Sequence, residues 1–179
     1  LPPAVLCLGL ALLKADQSLS PLSPELRSYW LNFHPMVLMI AYAAFANAFG
    51  VGVALLIQES QIKSRKPSAL CYRLPSLDEL DALNGKIIAV SLPVLVLGLA
   101  MGAMWAYEAW GRAWSWAPKE TMALITALFY AEFLWLRYAA GRRGRAPVYV
   151  SMVAFGCMLA TFFGAEMASG RHDFLGGGK

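Results

Sequence analysis

The chain has 179 residues, of which 59% are hydrophobic and only 15% charged, and its formal net charge is +4. With a mean hydropathy of +0.53, this composition excludes an ordinary soluble domain and identifies an integral membrane protein. Nucleic acid is not needed to explain the positive charge, because basic loops beside anionic headgroups of a lipid bilayer account for it, and no nucleic-acid motif occurs.

The first apolar run, Leu1 to Leu13, falls short of the roughly 20 residues that cross a bilayer as a helix. It is expected to be the end of a partial transmembrane helix, with a signal-peptide core as the alternative. A connector with Pro21, Pro24 and several serines follows. Proline suits the first turn of a helix, where its missing N–H costs nothing, so a full span is predicted from Pro35 to Ile57 with His34 at its lip. The next loop, from Gln58, is polar, and Ser76-Leu-Asp-Glu79 reads as a capping box. It is expected to open a short amphipathic piece lying flat on the membrane surface. Three more spans are predicted at Ile87 to Trp105, Thr121 to Tyr138 and Val148 to Ala168.

The expected fold is therefore all-α: a polytopic membrane helix bundle with four full transmembrane helices plus a partial N-terminal one. Residues 1–13 form the partial helix, 14–34 an outer connector, 35–175 the membrane domain and 176–179 a flexible tail. Basic loops are retained on the side of synthesis. Lys63, Arg65, Lys66, Arg73 and Lys86 fall in one predicted inner loop, and Arg137, Arg142, Arg143 and Arg145 in the other. His34, the loop after Trp105 and His172 are thereby expected outside, in a bacterial periplasm or a thylakoid lumen.

That outer loop, Trp110-Gly-Arg-Ala-Trp-Ser-Trp-Ala-Pro-Lys-Glu120, puts three tryptophans within seven residues. Such a loop suits a flat apolar ligand, although tryptophan also collects at headgroup depth as an interfacial belt. If residues 110–116 are partly helical, Trp110 and Trp114 share a face and present a stacking surface to a porphyrin. The only histidines of the chain, His34 and His172, flank the loop and form a candidate axial pair for haem iron, since neutral imidazole is a good iron ligand. Arg112 and Lys119 can pair with haem propionates or stand as solvated loop charges. Cys7, Cys71 and Cys157 lie far apart, without a Cys-x-x-Cys pair or a Cys-x-x-Cys-His haem-attachment motif, and read as small buried hydrophobes. Glu132 and Glu166 lie within predicted spans, where a carboxylate needs a partner or access to water.

Several segments in order resemble the WWD-domain haem-handling proteins of cytochrome c maturation, most closely their CcsA (ResC-like) branch from plastids and bacteria. Ser20-Pro-Leu-Ser-Pro-Glu-Leu-Arg-Ser-Tyr-Trp-Leu-Asn-Phe-His34 resembles the approach to that family's first external histidine. Leu77-Asp-Glu-Leu80 resembles the segment before its next helix. Ala106-Tyr-Glu-Ala-Trp-Gly111, Trp114-Ser-Trp116 and Pro118-Lys-Glu-Thr121 resemble its signature loop, and Phe163-Gly-Ala-Glu-Met-Ala-Ser-Gly-Arg-His172 its second external histidine region.

The resemblance implies a haem b bound by His34 and His172 and platformed by Trp110, Trp114 and Trp116. It also implies a ResB-type partner, an apocytochrome c substrate and a part in a cytochrome c haem lyase. Three positions depart from the family. Ala117 stands in place of the motif aspartate, Met122 in place of a common tryptophan, and Trp135 in place of a membrane histidine. These departures also suit a degenerate descendant. Such a protein would be a structural subunit of a large photosynthetic complex such as a photosystem, contacting chlorophyll or no cofactor.

Overall fold

The structure, a computed structural model, describes residues 28–64, 69 and 71–169. The run 1–13, most of the connector, His172 and the 176–179 tail lie outside the described residues. Among the described residues there are four helices and no strand: α1 (Trp30–Lys63), α2 (Leu77–Trp110), α3 (Pro118–Leu134) and α4 (Arg145–Ser169). A π-helical turn, Trp135–Ala139, extends α3. All four are long and apolar enough to cross a membrane, so the protein is an integral membrane helix bundle. The two 34-residue helices measure roughly 51 Å at 1.5 Å per residue and outrun the roughly 30 Å hydrocarbon layer.

Local chemistry explains the ends. Ser76 Oγ accepts from the Glu79 N–H at 3.3 Å while the Glu79 carboxylate accepts from the Ser76 N–H at 2.9 Å, so the capping box forms. It opens α2 itself rather than a separate surface piece, because nothing between Glu79 and Ile87 breaks the helix. The polar residues there, Asp81 and Asn84, are buried inside the bundle. Gly111 closes α2 with φ 71°, its N–H bonded to Tyr107 O at 2.9 Å, in the left-handed conformation that glycine adopts without strain. Pro118 opens α3 at its first turn, as its fixed φ favours. Unlike the predicted start at Pro35, α1 begins at Trp30 and carries Pro35 within it; a proline so near a helix start removes only one early hydrogen bond.

The helices alternate in direction. The upper end carries the 111–117 loop and the lower end the 140–144 loop. α1 packs along α2 and α3 along α4, with lesser α1–α4 and α2–α3 contacts closing the bundle. Apolar burial drives little association in lipid, so close van der Waals fit matters more. Ala41, Ala48 and Ala154 are buried at the centre, and the Phe45 and Tyr130 rings stack there at 3.8 Å between centroids. Apolar side chains such as Ile40, Val90 and Leu97 face outward, as a lipid-facing surface requires.

The lower end is tied by charge. Arg137 pairs with Asp81, both side chains nearly buried, and Asp81 also accepts the Gly144 N–H at 3.3 Å. Arg145 donates to Glu59 at 2.7 Å, joining the start of α4 to α1. Removing one partner of a buried pair strands the other charge. Asp81→Ala is therefore expected to cost about 3 kcal/mol, seen as earlier thermal unfolding in detergent. Adding Arg137→Met should restore most of that loss; an unchanged midpoint in the single variant would refute the pair's role.

Candidate functional site

A cavity of about 530 Å³ opens at the upper end, where α1 starts, α2 stops and α3 starts. Its floor includes Leu38, Tyr42 and Leu99, its walls Trp105, Trp110 and Trp114, and its lining also includes His34, Arg112, Lys119 and Thr161 of α4. The volume lies in the range of small-molecule and cofactor sites, about 300–1,000 Å³.

His34 is held from two sides. Its Nδ1 lies 2.7 Å from the Gly98 carbonyl oxygen. A carbonyl can only accept, so Nδ1 carries the proton and Nε2 keeps the lone pair that a metal or a donor can use. The ring also lies against Gly102, where an added Cβ would stand 2.6 Å from Cε1. Gly98 likewise admits Leu38, whose Cδ2 would be 2.5 Å from an added Cβ. The spacing Gly98-x-x-x-Gly102 thus forms a trough on α2 that seats the first turns of α1, the close-approach device of membrane helices.

Glu108 and Glu120 set the rest of the geometry. The Glu108 carboxylate accepts from Ser28 Oγ at 2.5 Å and from Trp30 Nε1 at 3.1 Å, clasping the start of α1 to the end of α2. Glu120 accepts from the Ser115 N–H at 2.7 Å and from Ser115 Oγ at 3.0 Å, which folds the loop back onto α3. Both of these carboxylates are thus engaged in structure. Arg112 and Lys119 are exposed and line the mouth, giving it a positive field.

The tryptophans divide. Trp105 and Trp110 meet edge to face at 4.8 Å between centroids, and Trp114 meets Trp116 in the same way at 6.0 Å. Trp110 and Trp114 both line the cavity, but not from one helical face, because Gly111 ends α2 and residues 111–117 are non-helical. Trp116 lies outside the lining, 71% exposed, with a φ of 57° that is strained for a bulky residue. The Trp114 indole N–H is buried and has no partner among the described residues, which leaves a donor at the cavity wall. His172 lies outside the described residues, and no group of three or more His, Cys, Asp and Glu among them could hold a metal ion.

Sequence reasoning singled out His34, Arg112, Lys119, Trp110 and Trp114, which the structure brings to one cavity. It missed the glycine trough and the two carboxylate clasps. The four-residue glycine spacing was a readable signal for the trough. The Glu108 clasp was not readable, because its partner Ser28 lies 80 residues away in the chain.

These features define a polytopic membrane bundle with an aromatic, cation-rimmed pocket around one oriented imidazole. Residues 1–172 match the Cytochrome C assembly protein family, and the chain belongs to that family. It is 34% identical to the cytochrome c biogenesis protein CcsA of Synechococcus sp. strain CC9605, over 88% of this chain and 59% of that protein. The protein of the same name from Chlamydomonas reinhardtii is 36% identical over 90% of this chain and 45% of its own length. That of Prochlorococcus marinus strain MIT 9303 is 33% identical over 97% and 64%. The chain therefore spans about half to two-thirds of the length of these curated relatives.

The trough yields a direct test. Gly102→Ala should displace the His34 ring, cost about 1–3 kcal/mol through overpacking, and raise carbethoxylation of His34 several-fold by mass spectrometry. Unchanged His34 reactivity would show that the ring does not rest on Gly102.

Proposed function

We propose that the protein is a haem-handling membrane subunit of c-type cytochrome biogenesis, presenting haem at its upper end for attachment to apocytochrome c. The observation that carries this reading is His34: its Nδ1 is fixed on Gly98 O, so the lone pair of Nε2 is left available in a tryptophan-walled cavity. Membership of the Cytochrome C assembly protein family supports the same chemistry.

The residues present fit the group. His34 would hold the iron through Nε2, with the hydrogen bond from Nδ1 to the Gly98 carbonyl fixing the tautomer. His172 would be the second residue to hold the iron. Trp105, Trp110 and Trp114 offer ring faces and edges to a flat macrocycle, and Arg112 and Lys119 stand where carboxylates at the mouth meet cations. Trp116, away from the lining, contributes to the platform from outside or serves the membrane interface. When bound, haem supplies the iron and the vinyl groups whose thioether bonds to cysteine define a c-type cytochrome. The chain's own part is to bind, to orient and to exclude water from the apolar floor.

The basic loops at the lower end support placing the upper end in the lumen or periplasm. The algal and cyanobacterial relatives favour a thylakoid setting. A ResB-type protein is the proposed partner.

The test is the absorption spectrum of the gently purified protein, oxidised and dithionite-reduced, with pigment extraction on the same sample. A six-coordinate b-type spectrum is expected. His34→Ala or His172→Ala should weaken haem retention roughly tenfold or more, the scale for disturbing a metal's ligand environment, with partial recovery in added imidazole. Full retention and an unchanged spectrum in both variants would overturn the ligand assignment. Chlorophyll in place of haem would transfer the chain to the scaffold class.

A further inference from the structure

Glu132 is a carboxylate within a membrane span that the bundle does not use. In α3 the residues Ala123, Thr126, Ala127, Tyr130 and Phe133 are buried. Leu128, Glu132 and Trp135 follow at i, i+4 and i+7 on an exposed stripe, with Leu128 60% and Trp135 61% exposed. Among the described residues none gives the Glu132 carboxylate a hydrogen bond or an ion pair.

Depth makes this arrangement costly in lipid. The helix continues from Glu132 upward to Pro118 and downward to Ala139, roughly 21 Å and 10 Å at 1.5 Å per residue. A hydrocarbon layer about 30 Å thick centred on this span encloses the carboxylate. Snorkelling to the nearer, lower surface is opposed by geometry, because side chains tilt toward the helix N-terminus, which for α3 is the upper end. An intramembrane carboxylate of this kind calls for a partner.

We infer that the stripe Leu128–Glu132–Trp135 docks a transmembrane helix of a partner subunit that carries an arginine or lysine at the depth of Glu132. Charge complementarity selects the cation, and Trp135, one turn below on the same face, offers a ring face on which a cation can also rest. A two-fold copy of this chain is a poor occupant. An isologous contact sets a patch against itself, and this stripe holds a carboxylate and no cation. The inference is independent of the haem reading, since the stripe lies on the side of α3 away from its buried face.

The experiment uses the protein in its native membrane, with a photoreactive benzoylphenylalanine at Leu128 and, as a lipid-facing control, at Val153 of α4. Illumination should give one protein adduct from position 128, mapping by mass spectrometry to an apolar segment of another polypeptide that contains Arg or Lys. Position 153 should not give that adduct. Adding Glu132→Leu should lower its yield at least tenfold, whereas Glu132→Asp should retain it. Lipid adducts alone, an adduct to a second copy of this chain, an adduct to a helix without a basic residue, or a yield insensitive to Glu132→Leu would each overturn the inference.

Discussion

Gly98 and Gly102 let α1 lie so close to α2 that the His34 ring rests on one glycine and donates to the carbonyl of the other. The upper-end site depends on that approach. A side chain at either position would push α1 outward and separate Nδ1 from its carbonyl. It would also widen the gap that Leu38 and Tyr42 floor. In lipid, where apolar contact is not rewarded over solvent contact, such a fit and a few interhelical hydrogen bonds are what hold one arrangement against others.

Polar clasps at the two ends fix what the glycine trough leaves free. At the upper end Glu108 anchors the start of α1 through Ser28 and Trp30, and Glu120 anchors the loop through Ser115. At the lower end Asp81 and Glu59 take Arg137, Gly144 and Arg145. Between them the buried hydroxyls of Ser91, Thr126, Ser151 and Thr161 bond to carbonyls in their own helices. Among the described residues the middle of the bundle is therefore held mainly by shape, with the Phe45–Tyr130 and Phe49–Phe155 stacks among its contacts.

The four spans were legible in the sequence because hydrophobic length is a strong signal, and the cavity's His34, Trp110 and Trp114 were legible because rare residue types cluster there. The helix limits were less so. Asp81 and Asn84 look like surface residues in a one-dimensional reading, and the prediction accordingly separated the capping box from the span that it opens. Asp81 pairs with Arg137 and Asn84 is buried close to Gly52 of α1, so neither faces water. The predicted sharing of a face by Trp110 and Trp114 failed for a local reason: Gly111 turns left-handed and ends the helix between them. They still meet at the cavity because Glu120 pulls Ser115 back toward α3, a contact that spacing alone does not reveal.

Ala117 bears on what the cavity can select. It lines the pocket beside Lys119 and Glu120, and an aspartate there would add a carboxylate to a mouth whose other one is already committed to Ser115. With alanine the cations of Arg112 and Lys119 face the opening without that offset, and the field favours a ligand with anionic groups at its outer edge. The floor of Leu38 and Leu99 favours an apolar body below. Alanine at 117 therefore sets the balance at the rim and leaves the imidazole, its carbonyl anchor and the aromatic walls in place. On the proposed reading, such a rim suits a flat macrocycle with acidic groups at its edge.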